Sequence, residues 1–195
     1  MRITGGAARG RSISGPKPGC TLIRPTSDRV REALFSIIAA EIPGSAVLDL
    51  YAGTGSFGLE ALSRGAAAAV FADLSKTSLQ LIQDSLSRCA AGANAALLQL
   101  DLSKPDSLVK LKNRLPAGMR FDLIFLDPPY EKNLAEKTAA AAAESGLLQE
   151  GGLLIAEERK NARLPERCGS LSLTDQRSYG ETGLWFYRRT EELAQ

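Results

Sequence analysis

A chain of 195 residues, 44% hydrophobic and 24% charged, is the size and make-up of one globular domain with a sizeable core. It has no histidine, and its three cysteines, Cys20, Cys89 and Cys168, lie far apart without CxxC spacing. No metal, no disulfide framework and neither Ser-His-Asp nor Cys-His catalysis is therefore expected. The net charge of +2 is unevenly spread: residues 1–31 carry seven Lys or Arg against one acid, Asp28, and the rest carries 17 Lys or Arg against 21 acids. Such asymmetry favours a polyanionic partner met by the amino end. With no segment as long as a membrane span and no apolar signal core at the amino end, a cytoplasmic protein without membrane contact is expected.

Residues 1–22 are rich in Gly and Arg, and the order Ile3, Gly5, Gly6, Arg9, Arg11, Ile13 fits a short β-hairpin or extended arm better than a helix. Positive charge without acidic neighbours suits nucleic-acid phosphates, with Arg9, Arg11 and Arg24 as the contacts; a merely solvated tail is the alternative. Arg24-Pro25-Thr26-Ser27 reads as a helix entry in which Thr26 or Ser27 caps and Asp28 sits in the first turn. Val30, Leu34, Ile37 and Ile38 follow at helical spacing, and the helix is expected to end near Glu41, before Pro43-Gly44.

Residues 46–50, AVLDL, form a short apolar strand leading into Tyr51-Ala52-Gly53-Thr54-Gly55-Ser56-Phe57-Gly58 and then a helix. Gly53-x-Gly55-x-x-Gly58 alone matches the dinucleotide fingerprint and says little about which nucleotide binds. Asp49 changes that reading. A carboxylate here is poorly placed for a pyrophosphate and well placed for an ammonium group with a nearby sulfonium, and S-adenosylmethionine has both. Gly53 and Gly55 would let the backbone approach its methionine moiety without a Cβ in the way. Residues 66–72 form a second strand ending in Asp73, where an acid can accept both ribose hydroxyls; a helix cap is the alternative, because Ser75 and the periodic Leu79, Ile82 and Leu86 follow. Residues 96–100 form a third strand closed by Asp101, which can accept from an adenine amine. A helix over 106–115 and a turn at Gly118 then lead to residues 121–126.

That stretch, FDLIFL, is apolar with little alternation, the pattern of a parallel strand covered on both faces. Asp127-Pro128-Pro129-Tyr130 must end it, since two prolines fix φ and remove two donors. In open α/β sheets the carboxyl ends of strands are where ligands bind. An exocyclic amine on a nucleobase is a poor nucleophile that needs acceptors for its hydrogens and a fixed line of attack. Asp127 offers a carboxylate, the Pro128 carbonyl a second acceptor, and Tyr130 a flat face for a base taken out of its stack; a rigid turn with an exposed Tyr is the structural alternative. Beyond it, residues 133–143 read as an Ala-rich helix, 146–152 as a turn and 153–156 as a fifth strand. Glu157-Glu158-Arg159-Lys160 reads as a solvated charge run without chemistry, and residues 171–177 and 183–188 as a closing hairpin.

Through AVLDLYAGTGSFGLE, the Asp73 strand end and FDLIFLDPPY, the sequence resembles the class I S-adenosylmethionine-dependent methyltransferases. Within them, RITGGAARGRSI, RPTSDRVREALFSII and RSYGETGLWFY resemble the bacterial 16S ribosomal RNA guanine-N2 methyltransferases of the RsmD type, which modify guanine 966 in the usual rRNA numbering. The resemblance implies a Rossmann-like α/β fold: a mostly parallel seven-stranded sheet with its last strand antiparallel, helices on both faces and a small amino-terminal β-hairpin. It implies an RNA-contacting arm over residues 1–23, a methyltransferase domain over 24–195, and a monomer acting on 16S rRNA within the assembled small subunit. Carried over, Asp49, Tyr51, Ala52, Gly53, Thr54 and Gly55 would surround the methionine end of the cofactor. Asp73 would hold the ribose, Asp101 the adenine, and Asp127, Pro128, Pro129 and Tyr130 the target guanine. Asp73 stands where relatives commonly have Glu, and its shorter side chain calls for a closer ribose or a bridging water.

Three other readings compete. Related four-residue motifs also serve adenine N6 and protein glutamine amines, an RNA-binding assembly factor could keep the fold without turnover, and a nicotinamide dehydrogenase could use the glycine turn.

Overall fold

The computed structural model describes residues 1–15, 28–89, 92–130 and 133–190. The expected caps Thr26 and Ser27 and the expected phosphate contact Arg24 lie outside these residues. The chain divides into two compact units, Met1–Leu100 and Asp101–Gln195.

In the first unit the arm is a hairpin: Arg2 and Ser12 form an antiparallel bridge, and Ile3 donates to the Arg11 carbonyl at 3.0 Å. Its apolar residues Ile3 and Ile13 are buried, which sets aside the reading as a solvated tail. Helix α1 (Asp28–Ile37) buries Val30, Leu34 and Phe35 and runs into a short 3-10 turn, Ala39–Glu41. Strands β1 (Ala46–Leu50), β2 (Ala68–Asp73) and β3 (Ala95–Gln99) alternate with α2 (Ser56–Ser63) and α3 (Lys76–Cys89). All three strands are parallel, with β2 pairing β1 on one side and β3 on the other. Strand β1 is buried along its apolar run because helices must cover a parallel strand on both faces. The third glycine of the turn explains part of that packing. A Cβ on Gly58 would stand 2.3 Å from the Phe71 ring, so only glycine lets α2 lie this close to β2.

One buried carboxylate ties the arm and both helices together. Glu60, on α2 and wholly buried, accepts from Thr4 N–H and Thr4 O–H, each at 2.8 Å, and from Gly5 N–H at 2.7 Å. It also pairs with Arg64 at 2.8 Å and with the buried Arg31 of α1 at 3.4 Å. A charge removed from water is tolerable only when its lone pairs are filled in this way.

In the second unit α4 (Ser107–Lys112) precedes β4 (Phe121–Leu126), and α5 (Leu134–Ser145) connects it to β5 (Leu148–Arg159), which runs parallel to β4. Strand β8 (Thr182–Arg189) lies antiparallel to β5, β7 (Leu171–Tyr179) to β8, and the two-residue β6 (Arg167–Cys168) to β7. The strands among the described residues therefore number eight rather than the expected seven, the addition being β6, too short to leave a pattern in the sequence. The expected turn over residues 146–152 is also corrected. Strand β5 already begins at Leu148, and Gly151 (φ 70°) bulges inside it, so the register passes from Phe121 opposite Leu148 to Leu123 opposite Leu153.

Candidate active site

The candidate site residues form two groups at strand ends, one in each unit. In the first, β1 ends at Leu50 and Tyr51 turns the chain with φ 59°, a left-handed conformation rare outside glycine. Gly53 (φ 55°) and Gly55 (φ 72°) continue the turn into α2. Two carboxylates brace it from below. Asp49 accepts the Gly58 N–H at 3.0 Å, while Asp73, at the end of the neighbouring strand, accepts the Gly53 N–H at 2.8 Å and the Ser75 N–H at 2.7 Å. Of the two alternatives open in the sequence for Asp73, these bonds show the cap of the chain entering α3.

Asp49 is only 2% exposed. Burial pushes its carboxyl from an ordinary 3.8 up to about 8; the Gly58 hydrogen bond opposes this and the nearby Asp73 charge adds to it. A cation brought beside Asp49 would relieve that penalty, so the donor set fits a ligand with an ammonium and a sulfonium group and disfavours a pyrophosphate. Thr54 and Ala52 are buried in the turn, and Ala52 donates to the Ala72 carbonyl at 3.1 Å. Asp101 is occupied locally. It accepts the Ser103 hydroxyl at 2.6 Å and the Ser103 N–H at 3.1 Å, bonds that hold its carboxyl below the usual range.

In the second unit, β4 is buried from Leu123 to its end, and Asp127-Pro128-Pro129-Tyr130 leaves its carboxyl end with Asp127 and Tyr130 half-buried. The Tyr130 hydroxyl lies 3.5 Å from Oε1 of Glu157, and the Arg159 guanidinium carbon stands 5.6 Å from the centre of the Tyr130 ring. That separation is within cation–π range. Glu157 and Glu158 are buried, at 3% and 7% exposure, near the end of β5. The expectation of a solvated charge run at 157–160 is therefore corrected for both. Glu158 accepts the Arg159 N–H at 2.8 Å, and Glu157 faces the Tyr130 hydroxyl. Glu157 and Arg159 were missed because a row of four charged residues looks the same in sequence whether or not tertiary neighbours enclose it; the one available signal was that it directly continues an apolar strand.

On the arm, Arg9 and Arg11 are exposed, and Arg11 reaches the Arg88 carbonyl at 2.5 Å. Among the described residues no group of three or more metal-ligating side chains comes together, and no helix is long and apolar enough to cross a membrane.

Comparison with known proteins gives one consistent relationship. The sequence family described as conserved hypothetical protein 95 matches residues 1–188. Ribosomal RNA small subunit methyltransferase D of Escherichia coli (strain K12) is 34% identical over 189 residues, covering 97% of this chain and 90% of that protein. The protein of the same name from Haemophilus influenzae is 35% identical over 164 residues, 84% of this chain and 81% of its own. Among solved structures, the proposed methyltransferase yhhF of Escherichia coli matches with a TM-score of 0.81 at 32% identity, covering 98% of this chain and 99% of that one.

Proposed function

We propose a function from one premise: this chain belongs to the RsmD-type family of ribosomal RNA methyltransferases, described as conserved hypothetical protein 95, and has the Rossmann-like α/β methyltransferase fold. On that premise it transfers a methyl group from S-adenosylmethionine to the exocyclic N2 amine of a guanine in small-subunit ribosomal RNA, guanine 966 in the usual numbering. The relatives from Escherichia coli and Haemophilus influenzae carry the small subunit in their names, which supports the substrate class. The observation that carries the chemistry is the Asp127-Pro128-Pro129-Tyr130 turn at the carboxyl end of the buried strand β4.

When bound, S-adenosylmethionine supplies the electrophilic methyl group, whose bond to sulfur breaks with the electron pair returning to sulfur. Asp49 faces the ammonium end, and the turn formed by Tyr51, Ala52, Gly53, Thr54 and Gly55 wraps the methionine moiety. Asp73 accepts from the ribose and Asp101 from the adenine amine, in exchange with its bonds to Ser103. Tyr130 stacks the extruded guanine, with Arg159 held near its ring. Asp127 and the Pro128 carbonyl accept the two N2 hydrogens, which fixes the amine and turns its lone pair along the line of attack. As the new N–C bond forms, N2 sheds one proton, to the Asp127 carboxylate or to water. Positioning and a preorganised polar surrounding supply the acceleration more than acid-base chemistry does. Arg9, Arg11 and Arg24, on the arm over residues 1–23, hold phosphates of the RNA, and the chain acts as a monomer, in the cytoplasm, on the assembled small subunit.

Mass spectrometry of ribosomal RNA nucleosides from cells with and without the protein tests this directly. Loss of one N2-methylguanosine is the expected result, while an unchanged guanine profile with a missing N6-methyladenosine would replace it with the adenine reading. Asp127→Ala is expected to lower kcat by about 10²-fold or more, the scale of removing one preorganised transition-state partner; full activity would remove Asp127 from the mechanism.

A further inference from the structure

Beside the acceptor turn, within the second unit, lies a cavity of about 210 Å³ that none of the steps above uses. It is lined by Asn133 and Glu136 at the start of α5 and by Glu158, Arg159, Asn161 and Arg163 at and beyond the end of β5. At roughly 30 Å³ per water it has room for about seven, too little for a drug-sized ligand and enough for one base or one sugar-phosphate group. Arg159 belongs to the cavity and also stands over the Tyr130 ring, so the cavity adjoins the place proposed for the target base.

The lining is chemically mixed. Two guanidinium groups and two carboxylates cancel in net charge, which argues against a site for a bare anion such as inorganic phosphate. The ligand that satisfies both signs carries an anionic group for arginine and an edge of N–H donors for carboxylate and amide. A nucleotide has both. Glu158 is buried and one of its oxygens is committed to the Arg159 N–H, which leaves the other for a donor on the ligand. Arg163 is exposed and makes no hydrogen bond or ion pair with the described residues, so none of them neutralises its charge.

We propose that this cavity receives the base of the nucleotide next to the target guanine, its edge toward Glu158 and Asn161, while that nucleotide's phosphate stays at the rim on the exposed Arg163 and on Arg159. The assignment rests on the proposed RNA methyl transfer. Holding the neighbouring nucleotide fixes the backbone on one side of the extruded base, so the cavity acts on binding and register and not on the chemical step.

The test uses the full chain and small-subunit particles from cells lacking it, with binding measured at several salt concentrations for wild type, Arg163→Gln and Arg120→Gln. Arg120 is an exposed residue just before β4, at the amino end of that strand and outside the cavity. Removing one phosphate contact should lower the slope of log affinity against log salt by about one. Arg163→Gln should show that loss and raise the KM for particles about tenfold, as expected for one charge-assisted hydrogen bond, with kcat and S-adenosylmethionine affinity unchanged. Arg120→Gln should match wild type. An unchanged slope and KM for Arg163→Gln, or an equal loss in Arg120→Gln, overturns the cavity assignment while methyl transfer by wild type stands. If wild type transfers no methyl group to the particles, the RNA reading fails and the assignment falls with it.

Discussion

Asp49 is the residue where environment departs furthest from composition. Its carboxyl is pushed up to about 8 by burial, so the folded chain holds a proton there that the unfolded chain releases near the ordinary value of 3.8. Proton binding by the folded state stabilises it at low pH. The contribution is full below about pH 4 and is lost as pH rises toward about 8, the reverse of the usual salt-bridged aspartate. Asp49→Asn should therefore flatten the fall in Tm between pH 5 and 8. At pH 8 it should raise the Tm of the ligand-free protein by at least about 2–4 °C, the shift produced by 1 kcal/mol in a chain of this size. The same substitution should abolish the pH dependence of cofactor binding. If Asp49 takes the ammonium group as proposed, that cation would drive the proton off, and affinity for S-adenosylmethionine should rise with pH up to about 8. Calorimetry at pH 7 in two buffers of different ionisation enthalpy should register a released proton. Equal apparent enthalpies in both buffers would mean that the bound cation is not beside Asp49.

At the scale of elements, legibility followed how local the determinants were. Strands β1 and β4 have the boundaries read from sequence, because an uninterrupted apolar run stopped by glycine or proline needs no tertiary information. The start of β5 was hidden because Gly151-Gly152 reads as a turn, whereas the parallel partner β4 carries the strand through it as a bulge. The burial of Glu157 and Glu158 was hidden for the same reason: the Tyr130 hydroxyl and the fold of β5 come from elsewhere in the chain. Of the candidate site, the acids at strand tips were legible, but their bonds to the Gly53 and Gly58 amides were not, since those depend on the register between turn and strands. Glu60 shows the same dependence, because five donors from the arm, α1 and α2 converge on a residue that looks like an ordinary surface glutamate in a helix. Among the described residues, Glu60→Ala leaves the buried Arg31 beside no carboxylate but that of Asp28, and it strips Thr4 and Gly5 of their acceptor. It should cost about 3–5 kcal/mol, the penalty for breaking a buried pair. Denaturant unfolding would measure the loss, and hydrogen exchange should show the arm amides of Thr4 and Gly5 losing protection first. A cost under about 1 kcal/mol would mean that the network tolerates the loss of its centre.

Across the whole molecule the charge pattern and the docked arm have to be taken together. A net charge of +2 would attract RNA weakly if it were uniform, but seven of the 24 basic residues fall within the first 31 positions, where Asp28 is the only acid. The hairpin fixes part of that charge. Thr4, Gly5 and Ala8 are bonded to Glu60 and Ser63 of α2, so Arg9 and Arg11 are carried on an ordered platform and do not need to be immobilised when RNA arrives. Preorganised cations lose less entropy on binding than cations on a tail. They also set the field met by an approaching polyanion, which acts on the association rate. Replacing Arg9 and Arg11 together by Gln should lower the salt slope of binding to small-subunit particles by about two, and should slow association more at low salt than at high. S-adenosylmethionine affinity should stay at the wild-type value, because neither guanidinium group touches the glycine turn, and Tm should fall only slightly, because the bond lost from Arg11 to the Arg88 carbonyl is solvent-exposed. Stopped-flow association at two ionic strengths separates this from a structural effect: a slower rate with an unchanged salt slope would place the RNA-binding charge elsewhere on the chain and leave the arm a purely structural element.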